Sequence, residues 1–173
     1  MEDLLSALAQ WASGVTLVTF ADDRDDIGVT VSAFLPLSAE PPLVAVALMA
    51  ESYPAEVFGR GLSRFAVTLL AASQKMLAGR FSAAGRPGAR LMLADVPHDR
   101  GKLSGALIPS SGLAAVECRV SRLVTAGDHL LVIGSVANVA YVAESGSPLL
   151  RHSGRYTLTP SRQTDVTSGT PGR

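Results

Sequence analysis

An unbroken apolar run, Leu43-Val44-Ala45-Val46-Ala47-Leu48, approached through Pro36, Pro41 and Pro42, sets the terms for the fold. Such a run reads as a strand covered on both faces, and the prolines keep its lead-in extended. The sequence therefore predicts a strand at the centre of the core. Its neighbours extend the pattern. Val15-Thr16-Leu17-Val18-Thr19-Phe20 is rich in β-branched residues that fit a pleated surface. The turn-forming run Asp22-Asp23-Arg24-Asp25-Asp26 then leads to Gly28-Val29-Thr30-Val31-Ser32-Ala33-Phe34, which predicts a hairpin with a solvated turn. Arg64 to Leu70 reads as a further strand. Between Leu113 and Val142, Ala114, Val116, Cys118 and Val120 alternate with Ala115, Glu117, Arg119 and Ser121, and Gly127-Asp128 offers the turn of a second hairpin.

Short helices are expected in three places. Leu4, Leu5, Leu8, Trp11 and Ala12 share one side of a helix behind an N-cap candidate, Asp3, with Trp11 packed inward. A second helix follows Pro54 through Ala55, Val57 and Phe58, and a third follows Ser73 through Met76, Leu77 and Phe81. Residues 82–105 read as a long loop. Regular β-α alternation, which a wound parallel sheet needs, is missing, so the prediction is a mostly β fold, an antiparallel barrel with a few short helices. A chain of 173 residues suits one core, expected over residues 1–160. Residues 161–173 carry too little apolar surface to offset their ordering entropy and are expected to form a disordered tail.

Fifteen Lys and Arg balance fifteen Asp and Glu, so no overall basic field favours nucleic acid. The single cysteine, Cys118, reads as a small buried side chain and suits a reducing compartment. Glu2 and Asp3 stand where a signal peptide is basic, and no apolar run approaches the length of a membrane span, so a cytoplasmic protein independent of membranes is expected. Gly59-Arg60-Gly61-Leu62-Ser63-Arg64 lacks the third glycine of a dinucleotide loop. His98, His129 and His152 share no short spacing, no Gly-x-Ser-x-Gly occurs, and no metal site is expected.

Short strings in a fixed order say more. Trp11 to Thr19, then Gly28 to Phe34, then Leu37-Ser38-Ala39-Glu40-Pro41-Pro42-Leu43 resemble the flavin reductase family. Phe65-Ala66-Val67-Thr68-Leu69-Leu70, Gln74 with Phe81, Glu117-Cys118-Arg119-Val120 and Gly127-Asp128-His129 continue the likeness, which runs from about residue 5 to residue 157. The resemblance implies an FMN-binding split β-barrel, a homodimer, in which NADH or NADPH passes hydride to FMN or FAD held at the subunit interface. It further implies that reduced flavin goes to a partner monooxygenase. Two alternatives stand beside this NAD(P)H:flavin oxidoreductase: a flavin carrier or redox sensor of the same fold without reductase activity, and a dimerisation module that has lost its pocket.

The resemblance also implies a site. A flavin ring wants an apolar wall and a few fixed donors. In Thr30-Val31-Ser32-Ala33, Thr30 and Ser32 share one strand face and Val31 and Ala33 the other, offering hydroxyl and backbone donors, and Ala47 ends a neighbouring strand. Ser52 is the phosphate candidate and equally a helix cap, while Pro54 stands where the family commonly has another hydroxyl. Thr68, Leu69 and Leu70 match a segment that often begins with Asn. Arg80 and Phe81 close a helix, Arg80 being a phosphate contact in one reading and a helix-dipole partner in the other. Tyr156, beside Arg155, approaches the flavin from the last strand. His129 is assigned to the reaction centre, where it donates a hydrogen bond or steadies the cofactor; hydride transfer itself depends on geometry and needs no acid or base.

Overall fold

The computed structural model of the chain describes residues 2–23 and 25–158. Its elements are α1 (Glu2–Leu8), β1 (Ser13–Gly14), β2 (Thr16–Ala21), β3 (Asp26–Val31), β4 (Phe34–Ala39), β5 (Pro42–Met49), α2 (Tyr53–Gly59), β6 (Arg64–Leu69), α3 (Lys75–Ser82) and α4 (Ala89–Met92). Then follow β7 (His98–Arg100), β8 (Leu107–Pro109), β9 (Ala114–Ala126), β10 (His129–Val142), β11 (Leu149–His152) and β12 (Arg155–Leu158). Seven strands make one sheet in the order β3-β2-β6-β9-β10-β5-β4, antiparallel at every step.

The two edges of that sheet are consecutive in sequence: only Ser32 and Ala33 lie between Val31 of β3 and Phe34 of β4. Laid flat, six inter-strand spacings would hold these edges about 29 Å apart. Three Cα steps reach no more than about 11 Å. The sheet must therefore curl until its edges nearly meet, and the Ala47 N–H, donating to Ala33 O at 3.0 Å, ties the link to β5. The outcome is an open barrel with a slit at residues 32–33.

Two apolar clusters fill the fold. Inside the curled sheet, Phe58 of α2 packs edge-on against Phe20 and Phe65, with ring centroids 5.1 Å and 5.4 Å away, among Val18, Val46 and Cys118. On the outer side, Leu77 and Phe81 of α3 lie on Leu17, Leu70, Leu93 and Leu149. The long strands β9 and β10 bend through bulges beside Gly134, where a Cβ would fall 2.6 Å from the Phe65 ring.

Both expected hairpins form, with Gly127 at φ 61° in the turn between β9 and β10. Other expectations need correcting. β5 is next to an edge and not central, because the proline-bearing stretch before it pairs with it as β4; Pro36 is tolerated there since an edge strand can spare an N–H. The long loop contains α4 and β7. Asp3 lies within the first turn of α1, and the third helix is entered through a 3-10 turn, Ala72–Gln74, that contains Ser73; the Gln74 side chain accepts from Ala71 N at 2.9 Å at the start of that turn, and α3 itself has no side-chain cap. Trp11 lies beyond the end of α1 and is 79% exposed among the described residues, so it is not packed inward. The expected tail, 161–173, lies outside the described residues.

Candidate functional site: two clefts flanking the barrel slit

Two clefts are lined in part by the end of β5, Ala47 lining one and Met49 the other. The first, about 510 Å³, is walled by Ser32, Ala33, Ala47 and Leu131, with Trp11 and the β11–β12 turn at its rim. Because residues 32 and 33 have left the sheet ladder, their amide N–H groups have no partner among the described residues, while the Ala33 carbonyl is used by Ala47. Backbone donors beside an apolar wall are what a flat, polar-edged ring requires.

The second cleft, about 770 Å³, is bounded by Gly28, Met49, Ser52, Tyr53, Pro54 and Arg86. Ser52 has φ −80° and ψ 147° and caps α2, its Oγ accepting from Ala55 N at 3.3 Å. Its O–H remains free to donate, so the cap and phosphate readings are compatible. Arg86 is half-buried: its Nε–H donates to Gly28 O at 2.8 Å and Nη1 to Ala83 O at 3.0 Å. Burial pushes its pKa below the usual arginine value, yet a guanidinium keeps its proton. Among the described residues no carboxylate pairs with it. Asp25, on the same rim, turns its carboxylate to the Asp26 N–H at 2.7 Å.

At the start of β10, His129 lies opposite Met49 in register. Its Nδ1 is 2.7 Å from Asp128 Oδ1, and that bond holds the Asp128 carboxyl below the usual carboxylate range. An ionised carboxylate only accepts, so Nδ1 carries the proton in this pair and Nε2 is the nitrogen left for another partner.

Residues 8–159 match the model of the family described as "Flavin reductase like domain". The chain belongs to that family. It is 37% identical over 149 residues to the reductase component of 4-hydroxyphenylacetate 3-monooxygenase from Thermus thermophilus, covering 86% of this chain and 90% of the relative. It is 32% identical over 151 residues to the FMN reductase (NADH) SmoA of Agrobacterium fabrum, covering 87% and 82%. Among solved structures, the NADH:FAD oxidoreductase SgcE6 of Streptomyces globisporus C-1027, in complex with NAD and FAD fragments, superposes with a TM-score of 0.85 at 25% identity, covering 94% of each chain. The split barrel is thus a flavin reductase fold.

Of the residues singled out from sequence, Ser32, Ala33, Ala47 and Ser52 line the clefts, and His129 stands beside Met49. The rest lie elsewhere in this chain. Thr30 spends its hydroxyl on Ala78 O at 2.7 Å, and Val31 is core. Thr68 is fully buried in an interior strand with its Oγ1 unpartnered, Leu69 packs on the first cluster and Leu70 in the second. Arg80 is bound to Asp95, with Nη2 2.8 Å from Oδ2. Phe81 lies under Gly28 as support for β3, and Tyr156 packs on the second cluster. Sequence reasoning missed Arg86. The signal was an arginine between Gly85 and Pro87 in a long loop, a cation held by turn-forming neighbours.

Proposed function

We propose that this protein is an NADH-dependent flavin reductase that passes reduced flavin to a partner monooxygenase. The observation that carries the reading is the unpaired, half-buried Arg86 guanidinium facing Ser52 in a cleft next to the free Ser32 and Ala33 amides. A charge-assisted anchor for a phosphate and backbone donors for a ring edge stand in two clefts to which the end of β5 contributes Met49 and Ala47. The flavin, when bound, supplies the hydride acceptor. The chain's own residues bind and orient: Arg86 and Ser52 hold the phosphate, residues 32–33 and Ala47 seat the ring, and His129 donates or accepts at Nε2 beside it. Geometry of this kind, which fixes donor against acceptor, supplies most of the rate in a hydride transfer.

A second copy of the chain completes the unit in this reading. Leu4, Leu5, Leu8 and Trp11 are each more than half exposed, and a second copy would cover this apolar ridge at the rim of the first cleft. The test is turnover: NADH absorbance followed with FMN and with FAD, beside a measurement of mass in solution. Flavin-dependent NADH oxidation by a dimer is expected. No turnover with either flavin and either nicotinamide nucleotide overturns the enzyme reading, and tight flavin binding without NADH oxidation selects the carrier alternative.

A further inference from the structure

We infer that Asp26 is a positioning residue for the phosphate end of the flavin, acting through Arg86; the inference rests on the flavin reductase reading above. Asp26 opens β3 with its side chain 3% exposed. Its carboxylate takes a paired grip from Arg100, Nη1 to Oδ1 at 2.8 Å and Nη2 to Oδ2 at 2.9 Å. Arg90 adds Nη2 and Nε to the same Oδ2 at 2.9 Å and 3.3 Å. Arg90 belongs to α4 and Arg100 to β7, so one buried carboxylate fastens two points of the segment that follows α3. Arg86 lies on that segment, and its own anchor, Gly28 O, is two residues along β3 from Asp26.

The segment thus meets β3 at two neighbouring places: the Asp26 clamp and the Arg86–Gly28 bond. Only the second faces the cleft. Arg90 and Arg100 are like charges that share the one carboxylate between them, Arg100 donating also to Gly105 O at 2.6 Å, and without the carboxylate's charge they repel. Their side chains are 74% and 47% exposed, so water solvates them when the clamp is released, and the apolar clusters are left as they were. What is lost is the polar fastening of the segment to β3: Ala89 and Leu93 stay buried in the second cluster, while the stretch before them, which carries Arg86, loses the place from which Arg86 reaches a phosphate opposite Ser52.

The experiment compares FMN with riboflavin, the same ring and ribityl chain without the phosphate, measuring Kd by flavin fluorescence and KM and kcat by NADH oxidation. In Asp26→Asn the Kd and KM for FMN should rise about tenfold, the size of losing one well-placed charge-assisted bond. Riboflavin binding and kcat at saturating FMN should stay within about twofold. Arg86→Met should weaken FMN at least as much, and the double variant no further than Arg86→Met alone, because residues acting on one contact do not add. Equal weakening of FMN and riboflavin in Asp26→Asn, or additive losses in the double variant, overturns the positioning role. Should Asp26→Asn fail to fold, Arg90→Gln, which removes the more exposed partner, carries the same test: an FMN-selective loss supports the role and an unchanged FMN Kd overturns it. A wild-type protein that neither binds nor reduces FMN would instead remove the flavin reading itself.

Discussion

Gly28 of β3 meets the flat of the Phe81 ring so closely that a methyl group there would lie 2.4 Å from Cε1 and 2.7 Å from Cδ1. Carbon atoms rest about 3.5–4.0 Å apart, so either the ring or the strand must move by about 1 Å. The ring has nowhere free to go, being fully buried against Leu77 and Leu93. Forcing one methyl into a filled core costs about 1–3 kcal/mol. Replacing a strand glycine by alanine returns about 0.5–1 kcal/mol of backbone entropy. Gly28→Ala is therefore expected to destabilise by about 1 kcal/mol, the middle of a range that reaches about 2.5 kcal/mol, which lowers Tm by about 2–4 °C in a chain of this size. Thermal unfolding by circular dichroism, with urea midpoints alongside, measures it. The cause is separable: Phe81→Leu shrinks the ring that is struck, so its cost and that of Gly28→Ala should cancel in part when combined. A Gly28→Ala variant as stable as the parent, or two costs that simply add, would refute the close-contact argument. Since Gly28 O holds Arg86, the same variant should also raise the KM for FMN.

Three other outcomes follow from the geometry. Ser52→Ala removes both a helix cap and a phosphate donor, so a stability loss of about 0.5–1 kcal/mol should accompany a severalfold rise in FMN KM, measured by urea unfolding and NADH oxidation. Cys118 is fully buried, and burial together with the nearby Glu117 charge pushes its thiol up to about 12, so iodoacetamide should label it slowly in the native protein and rapidly in urea, read by mass spectrometry. Burial alone would raise the Glu117 carboxyl, but the Ser104 hydroxyl, the Ser104 and Leu103 amides and the Asn138 side chain outweigh it and hold the pKa below the ordinary 4.5. Asp26, gripped by Arg100 first and Arg90 second against the effect of burial, sits below 3.8. Both groups therefore bind protons more readily unfolded: the stability they give is whole above the unfolded values and is lost as pH falls through the depressed folded ones. Glu117→Gln should be less stable at neutral pH by about 1–3 kcal/mol yet lose less on acidification, read from urea midpoints between about pH 7 and pH 3.

The strands were legible because alternation and turn residues are local signals. Gly127-Asp128 marks a turn wherever the hairpin ends up, and Val15 to Phe20 suits a pleated surface in any sheet. Position in the sheet is not local. The run at residues 43–48 looked central because it is apolar throughout, yet one side of it is closed by an edge strand that its own prolines disguised. Thr68 to Leu70 match a family string; what the string cannot state is that β6 lies between β2 and β9, where Thr68 is buried and Leu69 partly so. Helical spacing predicts one helix side through Leu4, Leu5, Leu8, Trp11 and Ala12, yet α1 ends at Leu8 and buries none of its residues; spacing cannot state that the described residues leave this apolar side exposed, or that Trp11 stands at a cleft rim.

The site has one topological origin. Where consecutive strands must pass from one edge of a curled sheet to the other, the linking residues cannot pair on both sides, and free amides collect at that point. Ser32 and Ala33 are that link, and the Ala33 carbonyl, taken by Ala47, fixes which way the free N–H groups face. Thr30, two residues earlier and still inside the ladder, is the contrast: its hydroxyl turns to α3 and binds Ala78 O, so a side chain of the same chemistry becomes structural. In the proposed reading the polar groups that meet a ring are backbone groups, and backbone groups leave no short fingerprint of side chains. The phosphate end differs in kind, since a charge must come from a side chain. In the proposed reading it comes from Arg86, which bonds Gly28 O on a segment that Arg90 and Arg100 fasten to Asp26, and sequence spacing does not reveal that residues 86, 90 and 100 all return to β3.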